Sequence, residues 1–217
     1  MNRSKMGVVT GLQAEARWLK QAGFMVRPGG GTPAGAKAAA QSLVDQGAEA
    51  LLSFGLAGGL QPGLRPGTIL VPPAVITSTG HYNCDPTLLS FLGGATPGTL
   101  WAGDVIAATK LEKAKLYQHY QASAVDLESG AVAETATQHA LPFAVLRAVT
   151  DPAERTLPPA ALVALKPDGS LDLIRLLGAL VVRPGQIPDL ILVGQDAKAA
   201  RKALLERLKS LMYRKIE

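Results

Sequence analysis

The sequence has few aromatic residues, few charged residues and a single cysteine. Charged residues make up 18% of the 217 residues, below the roughly 25% of an average soluble domain, and hydrophobic residues make up 47%. This composition excludes general disorder and is sufficient for a sizeable core. Because Cys84 is the only cysteine, an internal disulfide framework and a multi-cysteine metal site are also excluded.

Patterns of membrane insertion, export and metal binding are missing as well. The apolar run Leu171–Val182 is interrupted by Asp172 and Arg175 and falls short of the roughly 18 residues of a spanning helix. The polar N-terminal residues lack the basic-then-apolar layout of a signal peptide. The three histidines are scattered, so we predict no metal and no cofactor, with phosphate as the one conceivable co-substrate. We expect a cytoplasmic protein, with a location peripheral to the inner membrane as an alternative.

Short apolar runs alternate with helical patterns, which predicts an α/β fold. Predicted strands are Met6–Thr10, Ala48–Phe54, Thr68–Val71, Ala74–Thr77, Thr99–Trp101, Ala122–Leu127 and Phe143–Val149. Predicted helices are Ala14–Ala22, Ala34–Gly47, Thr109–Gln121, Glu128–His139, Pro159–Leu165, Leu171–Val182 and Ala197–Met212. The glycine cluster Gly55–Gly59 predicts a turn. We expect one α/β domain over residues 1–156 and a helical C-terminal extension over residues 157–217.

The glycine-rich segment of residues 30–37 is similar to a phosphate-binding loop. In a true P-loop the second glycine directly precedes lysine, whereas here Ala36 separates Gly35 from Lys37. The segment can still bind phosphate through amides at a helix start, or form an ordinary turn and cap, which we favour. The candidate phosphate-binding residues are Gly30, Gly31 and Thr32.

Four acidic residues stand at the ends of predicted strands, where α/β sheets place their sites. They are Glu15, Asp126, Glu128 and Asp151. Asp151 directly follows a buried strand. A requirement for solubility does not explain a carboxylate at this position. Asp126 precedes a helix, so a helix cap and a functional role are equally good interpretations.

The segments Gly7–Glu15, Ser53–Leu60 with Leu64–Thr68, Ala124–Ser129 and Leu141–Asp151 follow one another in a familiar order. Over residues 6 to about 152 the chain resembles the superfamily of purine nucleoside phosphorylases and methylthioadenosine/S-adenosylhomocysteine nucleosidases. The resemblance implies a single-domain α/β fold of the nucleoside phosphorylase type, with a central mixed, twisted sheet flanked by helices. It also implies a homo-oligomer.

The resemblance implies an enzyme that breaks the ribosyl C1′–N9 bond of an adenine nucleoside. Asp151 matches the general acid, which would protonate N7 of the base, and Glu15 matches the glutamate that positions water. Glu128 matches the ligand of the ribose hydroxyls, whereas Asp126 replaces a glutamate and has a shorter reach. The implied substrate-binding residues are Glu128, Asp126, Leu127, Leu56, Ala57, Gly58, Val105, Ile106 and Ala107.

A narrower resemblance, to the hopanoid-associated phosphorylase branch, extends through Leu157–Gly169 and Arg183–Pro188. It implies that the substrate is adenosylhopane, cleaved to adenine and a ribosyl or phosphoribosyl hopane in hopanoid biosynthesis. Two departures from the nucleosidases bear on the site, and the second is consistent with a large 5′ group. Leu56 replaces a serine near the nucleophile, and the segment between His81 and Trp101 is short and rich in glycine, which leaves the 5′ side open.

Other interpretations stay open at this stage. The chain can be a methylthioadenosine/S-adenosylhomocysteine nucleosidase, a general purine nucleoside phosphorylase, or a non-catalytic nucleoside-binding protein associated with a membrane. Glu15 favours water as the nucleophile, whereas the narrower family favours phosphate, for which Arg65 and Arg147 are further candidates.

The C-terminal segment is basic, within a chain of net charge +5. Its predicted helix has an apolar face formed by Leu204, Leu205, Leu208, Leu211 and Met212. Such a helix can lie on an anionic bilayer, but docking on the core is the interpretation that we favour. No nucleic-acid partner is expected, because aromatic residues are not interleaved with the basic ones.

Overall fold

The computed structural model describes residues 2–163 and 184–213. Within these ranges the strands are β1 (Met6–Thr10), β2 (Met25–Pro28), β3 (Ala50–Gly59), β4 (Ile69–Leu70), β5 (Ala74–Ile76), β6 (His81–Asn83), β7 (Thr99–Ala102), β8 (Ala122–Asp126) and β9 (Phe143–Asp151). The helices are α1 (Gln13–Gln21), α2 (Pro33–Asp45), α3 (Pro86–Phe91), α4 (Lys110–Tyr120), α5 (Ser129–Gln138), α6 (Pro159–Val163) and α7 (Ile187–Met212).

The strands form one mixed sheet in the order β2-β1-β3-β8-β7-β5-β6, with β9 pairing with β3 and β4. Strands β1, β3 and β9 are parallel neighbours, and β8 runs antiparallel to β3. Strand β1 is buried along its whole length, as expected for a parallel strand covered on both faces. The expected α/β fold with a mixed sheet flanked by helices is confirmed.

Strand β3 changes partners along its length, and this creates a gap in the sheet. Its pairing with β1 ends at Thr10, opposite Phe54, and its pairing with β8 begins at Gly58, opposite Val125. Among the described residues, positions 55–57 of β3 pair only with β9 on the other side. Crevices of this kind, where strand partners change, are where α/β sheets bind ligands.

The predicted turn at Gly55–Gly59 is wrong, because these residues form the second half of β3. Pairing with β9 from Gly55 to Gly58 holds the glycines in the sheet despite their low strand propensity. The other predicted strands are present with small changes at their ends. Sequence analysis missed β2, β6 and α3, which are short. The predicted helix Leu171–Val182 lies outside the described residues.

Helix α7 begins at Ile187, well before the predicted start at Ala197. Ala200, Leu204, Leu208 and Leu211 are buried in the main hydrophobic core. These side chains therefore pack on the sheet, as favoured from the sequence, and do not form a free surface for a bilayer. In the portion of the chain that the structure describes, we find no helix with the length and hydropathy needed to span a membrane.

Candidate active site

A buried arginine lies at the gap in the sheet. Arg147 of β9 is only 1% exposed, and its Nη2 atom lies 2.5 Å from Oδ2 of Asp126 and 3.5 Å from Oε2 of Glu128. The same nitrogen donates to the hydroxyl of Ser53 at 2.7 Å. A cation inside a protein requires such compensation, and the two carboxylates supply it. Arg147 thereby joins β9, β3 and the end of β8 at one point.

Gly55 leaves the space into which this guanidinium fits. A Cβ atom at residue 55 would lie 2.5 Å from Nη1 of Arg147 and 3.4 Å from Oε2 of Glu15. Every other residue type would therefore collide with the arginine. The glycine in the middle of β3 is required by the close approach of side chains, not by a turn.

Glu15 reaches the same point from helix α1. Its side chain is fully buried, and Oε2 accepts a hydrogen bond from the N–H of Leu12 at 3.3 Å. Its other oxygen, Oε1, is buried and has no hydrogen-bond partner among the described residues. Burial raises the pKa of Glu15 to about 7, although the charge of Arg147 acts in the opposite direction. A carboxyl group that titrates near neutral pH is suited to accept a proton.

Glu128 lies between two glycines that border its carboxylate. Its Oε1 atom accepts a hydrogen bond from the N–H of Gly31 at 3.2 Å. A Cβ atom at Gly11 or at Gly29 would lie 3.1 Å from its carboxylate oxygens. Burial raises the pKa of Glu128, while the charge of Arg147 lowers it. The carboxylate is thus held at the gap by main chain on one side and by Arg147 on the other.

Asp126 is occupied by protein groups on both of its oxygens. Oδ1 accepts hydrogen bonds from the N–H groups of Glu128 and Ser129, at 3.3 and 3.1 Å. Oδ2 accepts from the Ser129 hydroxyl and lies against Arg147. Of the two interpretations made from the sequence, this geometry supports the cap at the start of α5. We infer that Asp126 orients Arg147 and the start of α5 rather than a sugar.

Asp151 ends strand β9 and faces the far end of the same gap. A Cβ atom at Gly58 would lie 3.3 Å from Oδ2 of Asp151. The ammonium group of Lys113, on helix α4, lies 2.5 Å from the same oxygen. Burial raises the pKa of Asp151, and Lys113 lowers it. Lys113 is fully buried and was missed by sequence analysis, because nothing in the polar helix around it distinguishes it from a surface lysine.

The remaining predicted substrate residues differ in their exposure to solvent. Ala57 and Ala107 are buried, whereas Val105 is 76% exposed and Ile106 is 43% exposed. The half-buried residues of this set are Leu56, Gly58 and Leu127. The segment of residues 103–108 is anchored next to the acids, because the N–H of Gly103 donates to the carbonyl of Asp126 at 2.9 Å.

In the glycine-rich segment before α2, two of the three candidate phosphate ligands bind protein groups. The hydroxyl of Thr32 caps α2 by accepting from the N–H of Gly35 at 3.1 Å, and the N–H of Gly31 is bound to Glu128. Gly30 adopts a positive φ of 71° in the preceding turn. Lys37 and Arg65 are exposed. This geometry supports the turn and cap over a phosphate site. Within residues 2–163 and 184–213, no cluster of three or more histidines, cysteines or acids is arranged to hold a metal ion.

Comparison with known proteins relates this chain to a curated nucleosidase. A curated methylthioadenosine/S-adenosylhomocysteine nucleosidase of Staphylococcus epidermidis is 32% identical over an alignment of 130 residues, and the match covers 48% of this chain. The match spans only 57% of the length of that relative.

Two solved structures from Helicobacter pylori share the fold. An inhibitor complex of methylthioadenosine/S-adenosylhomocysteine nucleosidase superposes with a TM-score of 0.71 at 15% identity, covering 97% of this chain and 98% of the other. Native futalosine hydrolase superposes with a TM-score of 0.66 at 15% identity, covering 94% and 97%. The model of the phosphorylase superfamily matches residues 10–91 and 94–176, and the chain belongs to this superfamily.

Proposed function

We propose that this protein cleaves the N-glycosidic bond of an adenine nucleoside and releases adenine. The observation that carries the proposal is the meeting of three buried carboxyl groups at one stretch of β3. Glu15 borders it at Gly55, Asp151 borders it at Gly58, and Glu128 is tied to it through Arg147. The curated nucleosidase relative supports the same reaction class.

Asp151 is the general acid in this proposal. A purine leaves poorly as an anion, so a proton at N7 is required as the C1′–N9 bond breaks. Burial raises the pKa of Asp151 and thereby favours the protonated form that such a step needs. The electron pair of the broken bond stays with the base.

Glu128 and Glu15 act on the sugar side. As the base departs, positive charge develops on the ribose, and buried carboxylates stabilise that charge. Glu128 binds the ribose hydroxyls through its carboxylate. Glu15 holds the attacking water through its unpartnered oxygen Oε1 and takes a proton from it as the C1′–O bond forms.

Water is the nucleophile that the geometry favours. A phosphate site needs free amides or cations, and most of the candidates predicted for it bind protein groups or are exposed. Gly31 donates to Glu128, Thr32 caps α2, and Arg65 is exposed. Arg147 faces carboxylates, which would repel a phosphate. The reaction in this proposal is therefore a hydrolysis, and its second product is the sugar with a hydroxyl at C1′ and its 5′ group retained.

We further propose adenosylhopane as the physiological substrate, cleaved within hopanoid biosynthesis. The support for this substrate is the resemblance to the hopanoid-associated branch, together with the short, glycine-rich segment between His81 and Trp101, which is consistent with a large 5′ group. A homo-oligomer is part of the same proposal, and light scattering of the purified protein tests it. Peripheral membrane contact would serve the delivery of such a lipid. It would have to use a surface other than the buried face of α7, and co-sedimentation with anionic vesicles tests it.

The test is chromatography of adenine released from adenosine, from methylthioadenosine and from adenosylhopane, each with and without phosphate. Asp151→Asn runs beside each assay, with the exposed Asp45→Asn as the matched control. We expect release from adenosylhopane without phosphate, lost in Asp151→Asn alone. Release from methylthioadenosine only would overturn the lipid substrate and leave the reaction class intact. Release that requires phosphate would overturn hydrolysis. No release from any nucleoside would support a non-catalytic binding protein instead.

A further inference from the structure

Lys113 is an unusual residue for its helix. Most of α4 is at least partly exposed, and the neighbours Glu112 and Lys115 are fully on the surface, yet Lys113 is 0% exposed. Lysine is among the residue types least often buried without a partner. Because Lys113 is buried, its ammonium group requires binding partners inside the protein.

The ammonium group binds one carboxylate and the turn that follows it. Nζ donates to Oδ2 of Asp151 at 2.5 Å, to the carbonyl of Pro152 at 2.9 Å and to the carbonyl of Arg155 at 3.2 Å. The carbonyl of Asp151 itself lies 3.4 Å away. An ammonium has three protons, so these oxygens saturate it. Lys113 thus fixes both the end of β9 and the chain that leaves it.

This arrangement assigns different roles to the two oxygens of Asp151. Oδ2 is held by Lys113, and Oδ1 has no hydrogen-bond partner among the described side chains. The proton of the neutral acid therefore belongs on Oδ1, because Oδ2 is occupied by a cationic donor. Oδ1 is the oxygen that remains for a ligand.

Charged groups reach Asp151 from three sides. Lys113 approaches from α4, Asp196 approaches from α7, and Arg155 lies in the turn and pairs with Asp196 at 2.8 Å. Burial and Asp196 raise the pKa of Asp151, while Lys113 lowers it. Because Asp196 is compensated by Arg155, Lys113 is the cation that bears directly on the Asp151 carboxyl group.

We propose that Lys113 is the positioning residue of the general acid, which presents Oδ1 of Asp151 to the base and compensates the carboxylate left after proton transfer. This inference rests on the proposed function. The proton passes from Oδ1 to N7 of the purine as the C1′–N9 bond breaks, and its electron pair stays with the base. The negative charge that forms on Asp151 lies beside an ammonium group that is already in place, so no reorganisation is needed.

The test compares Lys113→Met with Lys115→Met, which removes an exposed lysine from the same helix. We expect kcat for Lys113→Met to fall by about 10- to 100-fold, with KM changed by less than about threefold. Asp151 must be protonated to act, so its pKa sets the alkaline limb of the pH profile. Loss of the ammonium raises that pKa and moves the limb to higher pH. Lys113→Arg, which keeps the charge, should restore the wild-type limb. An unchanged kcat and an unchanged limb in Lys113→Met would overturn the proposal.

A second measurement does not depend on activity. Carboxyl ¹³C titration of aspartate-labelled protein reports the pKa of Asp151, and the signal missing in Asp151→Asn assigns it. We expect a higher pKa in Lys113→Met and no change in Lys115→Met. If the wild-type protein releases no adenine while this shift is present, the proposed function fails and the Lys113 contact stands. If adenine is released and the shift is absent, only the role of Lys113 fails. Should Lys113→Met not fold, Lys113→Arg is titrated in its place and must retain the wild-type value.

Discussion

Oε1 of Glu128 accepts a hydrogen bond from the main-chain N–H of Gly31 at a distance of 3.2 Å, across 97 positions of the sequence. The contact joins the loop before α2 to the residue that directly precedes α5. It orients one carboxylate oxygen by main chain, while Arg147 approaches the other oxygen at 3.5 Å. The loop whose sequence is similar to a phosphate site therefore donates a hydrogen bond to a carboxylate of the protein itself.

Gly29→Ala is expected to disturb this contact. The added methyl group would lie 2.9 Å from the Cα of Ala36 and 3.1 Å from Oε1 of Glu128, so the loop or the carboxylate must move. We expect KM for the nucleoside to rise about tenfold, because one displaced hydrogen bond to a charged group costs roughly 1.5 kcal/mol or more. Steady-state kinetics measure this change. Gly194→Ala is the control, since a Cβ there meets open space and KM should not change.

Asp151→Asn removes the proposed acid while keeping the shape of the side chain. We expect kcat to fall by about 10²- to 10⁴-fold, the usual contribution of general acid catalysis, with nucleoside binding retained. Adenine release measures the rate, and calorimetric titration with a nucleoside measures binding. A variant with kcat close to that of the wild type would exclude Asp151 as the acid.

The pKa of Glu15, raised to about 7, predicts how activity depends on pH. A group that accepts a proton from water must be ionised, so kcat/KM should decline as pH falls through about 7. In Glu15→Gln we expect a much lower rate and no acid limb at that pH. The pH profile of kcat/KM for both proteins checks this. A wild-type limb near the ordinary pKa of glutamate would contradict the proposed role.

The same pKa makes folding stability depend on pH. Because the folded pKa of about 7 lies above the ordinary glutamate pKa of 4.5, the native state binds more protons than the unfolded state between these pH values. The stability due to protonated Glu15 is present below about pH 4.5 and is lost as pH rises through about 7. Glu15→Gln should thus be more stable than the wild type at pH 8, by on the order of 3 kcal/mol, and nearly equal at pH 4. Denaturant unfolding at both pH values tests this, with the exposed Glu49→Gln as control.

Arg147→Met leaves Asp126 and Glu128 buried without their cation. Breaking a buried ion pair from one side costs about 3 to 5 kcal/mol, and we expect a loss of that size at pH 8. The loss in the free energy of unfolding should become smaller as pH falls, because protonation neutralises the carboxylates that lack a cation. Denaturant unfolding across pH measures both effects. The exposed Arg65→Met should unfold like the wild type at every pH.

Much of the fold can be predicted from local patterns. The buried run of β1 and the strand before Asp151 are visible in the sequence because their apolar residues are consecutive and their ends are marked by polar ones. Short elements such as β2 and β6 were missed, since a few residues carry little periodic signal. The glycines of β3 indicated a turn because their strand propensity is low, and only pairing with β9 overrides it.

The candidate site, like the fold, can be predicted from the sequence only in part. The sequence by itself determines that Glu15, Glu128 and Asp151 stand at element ends, and the order of the strand and helix patterns then predicts that they share one edge of the sheet. The order of the strands decides which groups actually touch. The partner of Asp151 is Lys113, 38 positions away, and the partner of Glu128 is Gly31. Such contacts join residues from separate elements, so no local propensity encodes them, and they arise only when the sheet brings those elements together.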